Sequence, residues 1–357
     1  MKIRKKLFVL LMSMTFVACE SVPTLYMKFD DVKYVNKFPK EKSVKDKDLQ
    51  VVCDDISGCC DLFVADSILV GIFPEADYFW KAYSLKDNTF KMSLIRKGHG
   101  RNEFPYAPHS VVVNKTSDSL LCSFLSNDRR FFVCDLGQSI AQNREVIKEQ
   151  KLNFGNKDMT WCVPLNDSLF YTKHTSWLDY SHKRMLFSNG SFMDIPNIEC
   201  LNNITVEKDI NTLSFLYCLN NERDRVAEAM KRLNQINIYS FDGSFQKTIC
   251  IGNQLMNVGE VDHSSKANVM ECFGNVISYS NYFVALYHGV STRDYYESDA
   301  SCSLMIFDWE GNPLLKLNIP FTVPNFGISG DGTIYLLRNN IEKEVILKYK
   351  NINSLLD

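Results

Sequence analysis

The stretch "IYSFDGSFQKTI", Ile238 to Ile249, decides how the whole sequence is interpreted. An apolar-rich run leads into Asp242-Gly243, and a second alternating run follows directly. A two-residue turn of this composition between two such runs is a strong β-hairpin signal, because a tight hairpin turn needs positive φ values. "MLFSNGSFMDI", from Met185, has the same form around Asn189-Gly190. The middle of the chain is therefore predicted to be β-structure.

Units of this kind repeat along the chain. Similar strand–turn–strand runs begin at Ala82, Phe131 and Met305, and a polar turn followed by an apolar strand recurs at Asp66, Asp118, Asp167, Asn211, Asn281 and Asp331. Four short strands in every ~50 residues form one β-propeller blade. A blade cannot bury both of its faces alone, whereas a ring of blades can. The sequence predicts an all-β fold, a six-bladed β-propeller of four-stranded blades.

The last blade is predicted to need a strand from the other end of the chain. From Phe321 onward there is room for only three strands, "FGIS", "TIYLL" and "EVILKYK". We expect "TLYMKF" or "VKYVNKF", within residues 24–38, to supply the fourth and close the ring, since closure removes exposed sheet edges. The predicted organisation is a signal peptide over 1–18, a lipidated N-terminus, linker and closing strand over 19–50, and the propeller over 51–357.

One interval in the repeat is longer than the others. The turn markers Asn211 and Asn281 lie 70 residues apart, and "NERDRVAEAMKRLNQ" falls between them. Val226, Met230 and Leu233 stand at i, i+4 and i+7, with charged residues between them. This spacing predicts one short amphipathic helix inserted within blade 4. Packing against its own blade is the expected role, with docking of a partner as the alternative.

The N-terminus predicts export and lipidation. Four basic residues precede an apolar run from Leu7 to Ala18, a length typical of a signal-peptide core and too short to span a bilayer. The run ends in "TFVAC", which resembles a bacterial lipobox, with Cys19 as the lipidated residue and Phe16 where leucine is usual. An ordinary cleaved signal peptide is the alternative. We expect no transmembrane helix and attachment to the membrane through the lipid.

Charge and cysteine content narrow the classes of function. Removing residues 1–18 leaves 36 Lys and Arg against 42 Asp and Glu, so no basic surface for nucleic acid is expected. Of twelve cysteines, most stand in apolar alternating runs, where cysteine usually serves as a small buried side chain. Cys53, Cys59 and Cys60 cluster without C-x-x-C spacing, which favours a structural bridge or free thiols over zinc.

These features together resemble a known family. The lipobox, the hairpins "FDGSFQKTI" and "FDWEGNPLLKLNIP", and "GISGDGTIYLL" near the end are similar to the TolB-like six-bladed β-propeller lipoproteins abundant in Bacteroidetes. In that family the first blade often ends in a G-x-G-P-x-E-F turn, and here Gly98 to Phe104 match it, with Arg101 in place of the proline. The resemblance implies a propeller and an envelope location, and it implies no activity.

Two loops supply the candidate ligand-contact residues. "KGHGRNEFP" looks like a phosphate loop, but the strand signal "VVV" and two prolines follow it, so a link from blade 1 to blade 2 is predicted, with His99 and Arg101 facing the propeller surface. The second loop, Gly289 to Ser301, is a polar insertion in blade 5 that carries Arg293, Tyr295 and Tyr296. Loops on a rigid scaffold are where binding residues concentrate.

Two hypotheses about function follow. The first is a non-enzymatic binding module of the cell envelope, anchored at the outer membrane, which holds a protein, peptide or glycan through one propeller face. The sequence does not choose between the periplasmic and the outer side of that membrane. The second is a metal-dependent hydrolase or lactonase, in which acidic and asparagine side chains at the central channel hold a cation such as calcium. No catalytic residue and no cofactor are predicted, and no metal-binding residues are assigned. A monomer is expected.

Overall fold

The computed structural model describes residues 24–116, 118–155, 158–339 and 344–357. Within these residues the chain forms six sheets, each containing four antiparallel strands that form one blade, and the blades are numbered here in chain order. From first to last strand they comprise Asp61–Ala65, Ile68–Ile72, Tyr78–Ser84 and Thr89–Arg96 (blade 1); His109–Lys115, Leu120–Leu125, Phe131–Asp135 and Ile147–Gln150 (blade 2); Met159–Pro164, Leu169–Thr175, His182–Ser188 and Ser191–Asp194 (blade 3); Phe215–Asn220, Arg225–Met230, Gln235–Tyr239 and Gln246–Ile251 (blade 4); Met270–Tyr279, Tyr282–Ser291, Cys302–Asp308 and Pro313–Ile319 (blade 5); and Asn325–Ile328, Thr333–Asn339, Glu344–Asn351 and Gln50–Cys53 (blade 6).

The predicted six-bladed propeller of four-stranded blades is confirmed. Apolar side chains of neighbouring blades pack face to face, as Val284 and Leu286 of blade 5 do with Phe326 and Leu336 of blade 6. Asn189 and Gly190 both have positive φ, 50° and 78°, as the predicted tight hairpin turn requires. At Asp242-Gly243 only the glycine has positive φ, so this hairpin has a different turn type.

The ring is closed from the N-terminus, but not by the strand that we expected. Gln50–Cys53 pairs antiparallel with Glu344–Asn351 and completes blade 6. Val32–Val35, within the predicted closing segment, instead pairs parallel with the last strand of blade 4. Lys40–Ser43 adds in the same way to blade 5. The N-terminal segment therefore covers the outer edges of two blades before it completes a third.

The helix predicted within residues 221–235 is wrong. Residues 221–224 form the turn between the first two strands of blade 4, and Arg225–Met230 is its second strand. Asn211 lies before the first strand of that blade, so the long interval came from a misplaced turn marker rather than from an insertion. Every residue from Val226 to Met230 is buried, because neighbouring blades cover both faces of this strand.

Short helices occur elsewhere among the described residues. One interrupts the predicted hairpin at Gly137, where Asp135 caps the helix by accepting a hydrogen bond from the backbone N–H of Gln138. The helices are Leu136–Gln142, Val258–His263, Thr292–Glu297 and Ile352–Leu356, with 3₁₀ turns at Asp46–Asp48 and Glu199–Leu201. In the part of the chain described, no helix has the length and apolar character needed to cross a membrane.

The cysteines of the described residues are all free thiols. Cys53, Cys59 and Cys60 form no bridge, which agrees with the free-thiol alternative rather than the disulfide. Eight of the eleven are buried, and Cys60 and Cys200 are exposed. Burial raises the pKa of the Cys59 thiol to about 12, so this side chain acts as a small packed group. Cys19 lies outside the described residues.

Candidate functional site: the link face of the propeller

Strand order divides the propeller into two faces. Because consecutive strands in a blade run antiparallel, the links between blades leave from the same end as the loops between second and third strands. We call this end the link face. The opposite end, the turn face, carries the turns between first and second and between third and fourth strands. All five candidate ligand-contact residues lie in segments of the link face.

His99 and Arg101 lie in the predicted link between blades 1 and 2. The link runs from Arg96, where blade 1 ends, to the first strand of blade 2, and both side chains are exposed. The Gly98 N–H donates to the Phe104 carbonyl at 3.0 Å, and the ring of Phe104 packs 4.8 Å from that of Phe132. The structure thus agrees with a blade link anchored by Phe104, and no helix follows it to form a phosphate cradle.

Arg293, Tyr295 and Tyr296 lie on the short helix Thr292–Glu297 of blade 5, where we expected a loop. Ser291 caps it, because its hydroxyl accepts from the Asp294 backbone N–H at 3.1 Å. The Thr292 hydroxyl donates to the Val269 carbonyl at 2.9 Å and ties the helix to the preceding blade link. Arg293 is exposed, and Tyr296 is 73% exposed. The helix therefore presents both side chains to solvent from a fixed position.

Tyr295 is half-buried and covers a histidine that the sequence analysis did not select. Its ring lies 4.8 Å from the ring of His288, whose buried Nε2 has no hydrogen-bond partner among the residues that the structure describes. Burial lowers the pKa of His288 to about 4, so the imidazole is neutral at pH 7. The absent side chain of Gly274 makes room, since a Cβ there would lie 2.5 Å from His288 Nε2. Only the position of His288 at the end of an apolar strand hinted at burial.

The two groups of candidate residues do not form a single pocket. The link between blades 1 and 2 and the helix of blade 5 lie on nearly opposite sides of the ring of six blades. A ligand that contacted both groups would have to span the mouth of the channel. This geometry suits a macromolecular ligand better than a small molecule.

The channel mouth carries polar side chains that the sequence analysis also missed. Asn325 donates to the carboxylate of Asp61, and the Asn275 amide donates to the Asn325 side-chain oxygen at 2.5 Å. These residues come from the first strands of blades 6, 1 and 5, which line the channel. Lys231 comes from blade 4, and burial lowers its pKa while the carboxylates of Glu271 and Asp61 act against that change. Widely spaced positions in sequence converge here, which explains why no motif marks them.

The mouth brings together one carboxylate and two asparagine amides rather than several acidic side chains. Among the described residues, no three or more His, Cys, Asp or Glu side chains are placed to share a metal ion. The oxygen of Asn325 already accepts a hydrogen bond from Asn275. The arrangement is a chain of amide and carboxylate groups that are hydrogen-bonded to one another.

A buried ionic network connects blades 3 and 4 beneath the link face. Arg184 and Glu228 are fully buried, with 2.7 Å between Arg184 Nη2 and Glu228 Oε2. The hydroxyls of Tyr171 and Tyr239 donate to Glu228 Oε1 at 2.7 and 2.5 Å. Tyr26 of the N-terminal segment accepts from Arg184 Nη1 at 3.2 Å. The network fixes two blades and the N-terminal segment together.

Exposed hydrophobic side chains distinguish the two faces. In the described loops of the link face, Tyr106, Trp177, Leu178 and Tyr296 are exposed. The other large exposed side chains belong to strands, such as Tyr34 and Phe90. Among the described turns of the opposite face, no large hydrophobic side chain is exposed. Exposed apolar groups that gather on one surface commonly mark an interaction site.

Comparison with known proteins defines the class first. The chain is a six-bladed β-propeller, and it superimposes on other propellers over most of its length. A member of the DUF4221 family from Bacteroides vulgatus matches with a TM-score of 0.52 and 12% identity, over 86% of this chain and 100% of that one. A protein of Bacteroides fragilis matches with a TM-score of 0.50 and 11% identity, over 89% and 98%. At these identities the likeness shows the fold alone.

The family follows from the sequence itself. The TolB-like 6-blade propeller-like family matches residues 35–331, so the chain belongs to that family. Regucalcin from Agrobacterium tumefaciens, described as a calcium-binding protein, has a TM-score of 0.48 and 9% identity, over 87% of this chain and 95% of that one. No curated protein matches the sequence.

Proposed function

We propose that this chain is a lipid-anchored protein of the bacterial envelope that binds a macromolecular partner, a protein, peptide or glycan, through its link face. The observation that carries the proposal is the concentration of exposed aromatic side chains in the loops of that face. Aromatic side chains supply much of the binding energy of protein interfaces, because they bury large areas at low conformational cost.

The basic N-terminal residues, the apolar run and the Cys19 motif support the proposed anchor at the outer membrane. Tyr106 and Tyr296 support the proposed partner class. They lie in the link between blades 1 and 2 and on the blade 5 helix, so a partner that contacts both spans the channel mouth. The hydrolase alternative has no supporting cluster of three or more His, Cys, Asp or Glu side chains among the described residues.

The test compares tyrosines on the link face with matched aromatic residues elsewhere. Tyr106→Ser and Tyr296→Ser, alone and together, are introduced into the tagged full-length chain and expressed in its native host. Partners are then cross-linked in intact cells and quantified by mass spectrometry. Because truncating a central aromatic residue costs about 2 kcal/mol or more of binding energy, the double variant should lose its partner at least about tenfold.

Tyr34→Ser and Phe90→Ser are the matched controls, since both side chains are exposed on the outermost strands of their sheets rather than in the link-face loops. They should retain the same partner at the wild-type level. Loss of the partner in the controls together with its retention in the double variant would reject the link face as the binding surface.

A further inference from the structure

The loop between the second and third strands of blade 3 presents two adjacent hydrophobic side chains to solvent. Trp177 is 68% exposed and Leu178 is 97% exposed. The loop is closed at its base, where the Ser176 N–H donates to the Ser181 carbonyl at 2.9 Å. Its carboxylate, Asp179, accepts from the Ser181 hydroxyl at 2.8 Å and so stays within the loop. Trp177 and Leu178 are thus held outward by a hydrogen-bonded loop.

The N-terminal segment enters the fold beside this loop. Tyr26 is fully buried and donates its hydroxyl to Asn202 at 2.9 Å. The Asn202 amide in turn donates at 2.6 Å to the carbonyl of His182, the residue that follows the loop. Two residues before Tyr26, the carbonyl of Thr24 accepts from the Val258 N–H at 2.9 Å in a link-face segment. Thr24 therefore lies on the link face, against the link between blades 4 and 5 and two residues from Tyr26 at the boundary of blades 3 and 4.

The distance from this point to the proposed lipid is short. Cys19 precedes Thr24 by five residues. An extended chain spans at most about 3.6 Å per residue, so the acylated cysteine would lie within about 18 Å of Thr24. Acyl chains embedded in a bilayer would then hold the blade 3 and 4 side of the link face close to the lipid surface. This step rests on the lipid anchor of the proposed function.

We infer that Trp177 and Leu178 dock onto the bilayer as a second membrane contact beside the lipidated Cys19. Tryptophan prefers the interfacial zone of a membrane, and leucine gains by leaving water for the acyl region. Because the lipid on Cys19 would hold this loop near the membrane, the bilayer is the surface that Trp177 and Leu178 can reach, whatever partner binds elsewhere on the protein. The blade 3 side of the link face tilts toward the membrane, and the side with blades 6 and 1 points away from it and stays open.

Native tryptophan fluorescence tests the docking directly, because the four tryptophans differ in exposure. Trp80 and Trp309 are fully buried, Trp161 is half-buried, and Trp177 is exposed. The full-length acylated protein is reconstituted into phosphatidylcholine vesicles, with or without bromine atoms near the upper part of the acyl chains. Bromine quenches only a tryptophan that reaches the lipid. We expect brominated lipid to quench the wild-type protein, and this quenching to disappear in Trp177→Phe and to persist in the matched variant Trp161→Phe.

Two further readouts separate this inference from the proposed anchor. Intact mass shows whether Cys19 is acylated, and flotation shows whether the protein stays with the vesicles. Absence of acylation and flotation would overturn both the anchor and the docking. Protein that floats with acylated Cys19 but fluoresces equally in plain and brominated vesicles would overturn the docking and leave the anchor standing. Quenching that survives in Trp177→Phe would also overturn it.

Discussion

At the scale of single residues, the Arg184–Glu228 pair is the feature with the largest consequence for stability. Both side chains are fully buried, and each also contacts tyrosine hydroxyls. Burial alone would lower the pKa of Arg184, but the facing Glu228 carboxylate together with Tyr26 and Tyr239 raises the pKa overall, so the guanidinium stays charged. Removing one partner of a buried ion pair is strongly destabilising, because the other charge then stays buried without compensation.

Glu228→Gln should therefore be strongly destabilising. It removes the nearest counter-charge of the buried Arg184 and leaves only Glu199, 3.9 Å away, which costs about 3 kcal/mol of unfolding free energy. The measurement is urea denaturation at pH 7. Asp194→Asn is the matched control, because it breaks an exposed pair with Lys183 and should cost less than about 1 kcal/mol. Equal losses in the two variants would contradict the structural role of the network.

His288 predicts a specific dependence of stability on pH. Its folded pKa, about 4, lies below the ordinary value of 6.5, so the unfolded chain takes up a proton first as the pH falls. Stability from this group is complete above pH 6.5 and is lost as the pH falls toward about 4. Between pH 7 and pH 5 the wild type should lose about 2 kcal/mol more than His288→Phe.

The matched control for that measurement is His99→Gln, at an exposed position. It should keep the wild-type difference between unfolding free energies at pH 7 and pH 5. If the unfolding free energy of the wild type changes between pH 7 and pH 5 by no more than that of His288→Phe, the buried imidazole does not control stability in this pH range.

At the scale of elements, the N-terminal segment belongs to the propeller rather than to a linker. It adds strands to the outer edges of blades 4 and 5, completes blade 6, and buries Tyr26 and Phe29 between blades 3 and 4. Pairing at the edge of a sheet protects backbone groups that would otherwise template association with other chains. The segment therefore couples four blades of the ring.

Tyr26→Ala should lower the unfolding free energy by about 3–5 kcal/mol, because it empties a buried aromatic site and leaves Arg184 and Asn202 without its hydroxyl. Tyr34→Ala, in the same segment but 49% exposed, should cost less than about 1 kcal/mol. Urea denaturation again measures both. A Tyr26→Ala protein as stable as the wild type would mean that the segment docks without contributing to the fold.

The elements also show where prediction from sequence succeeded and where it stopped. Local turn chemistry marked most blades, because Asp, Asn and Gly occupy turns for reasons that act within a few residues. The prediction of a helix at Val226 to Met230 failed, because the apolar spacing of these residues also fits a strand that is buried on both faces. What decides the form of this segment is the antiparallel pairing with the strands on both sides of it and the burial of both its faces, which the spacing of its own residues does not show.

The candidate site followed the same division. Segments of the link face could be predicted, because their composition marks loops on a scaffold. His288 and the row formed by Asp61, Asn325 and Asn275 could not, because they meet only when distant strands come together at the channel. The closing strand was misplaced for a similar reason: several N-terminal segments have strand character, and the pairing partner selects among them.

At the scale of the whole molecule, ring closure predicts the reactivity of the thiols. In the folded protein Cys60 and Cys200 are exposed, Cys53 is half-buried, and eight described cysteines are buried between strands. An aromatic disulfide reagent should label Cys200 quickly at pH 8 and Cys60 and Cys53 more slowly, because burial raises the pKa of both thiols, and it should label the buried eight only after denaturation. Fast labelling of five or more thiols in the native protein would indicate that the ring opens readily in solution.

The central claim is that the link face is the functional surface, and hydroxyl-radical footprinting of the protein in its native envelope tests it most directly. Exposed aromatic side chains are oxidised in the purified protein, and a bound partner or membrane protects them. If the link face is the functional surface, Tyr106, Trp177 and Tyr296 should be protected in the envelope relative to the purified protein, with Tyr34 and Phe90 unchanged. Protection confined to Tyr34 and Phe90, or equal oxidation of all five in both states, would contradict it.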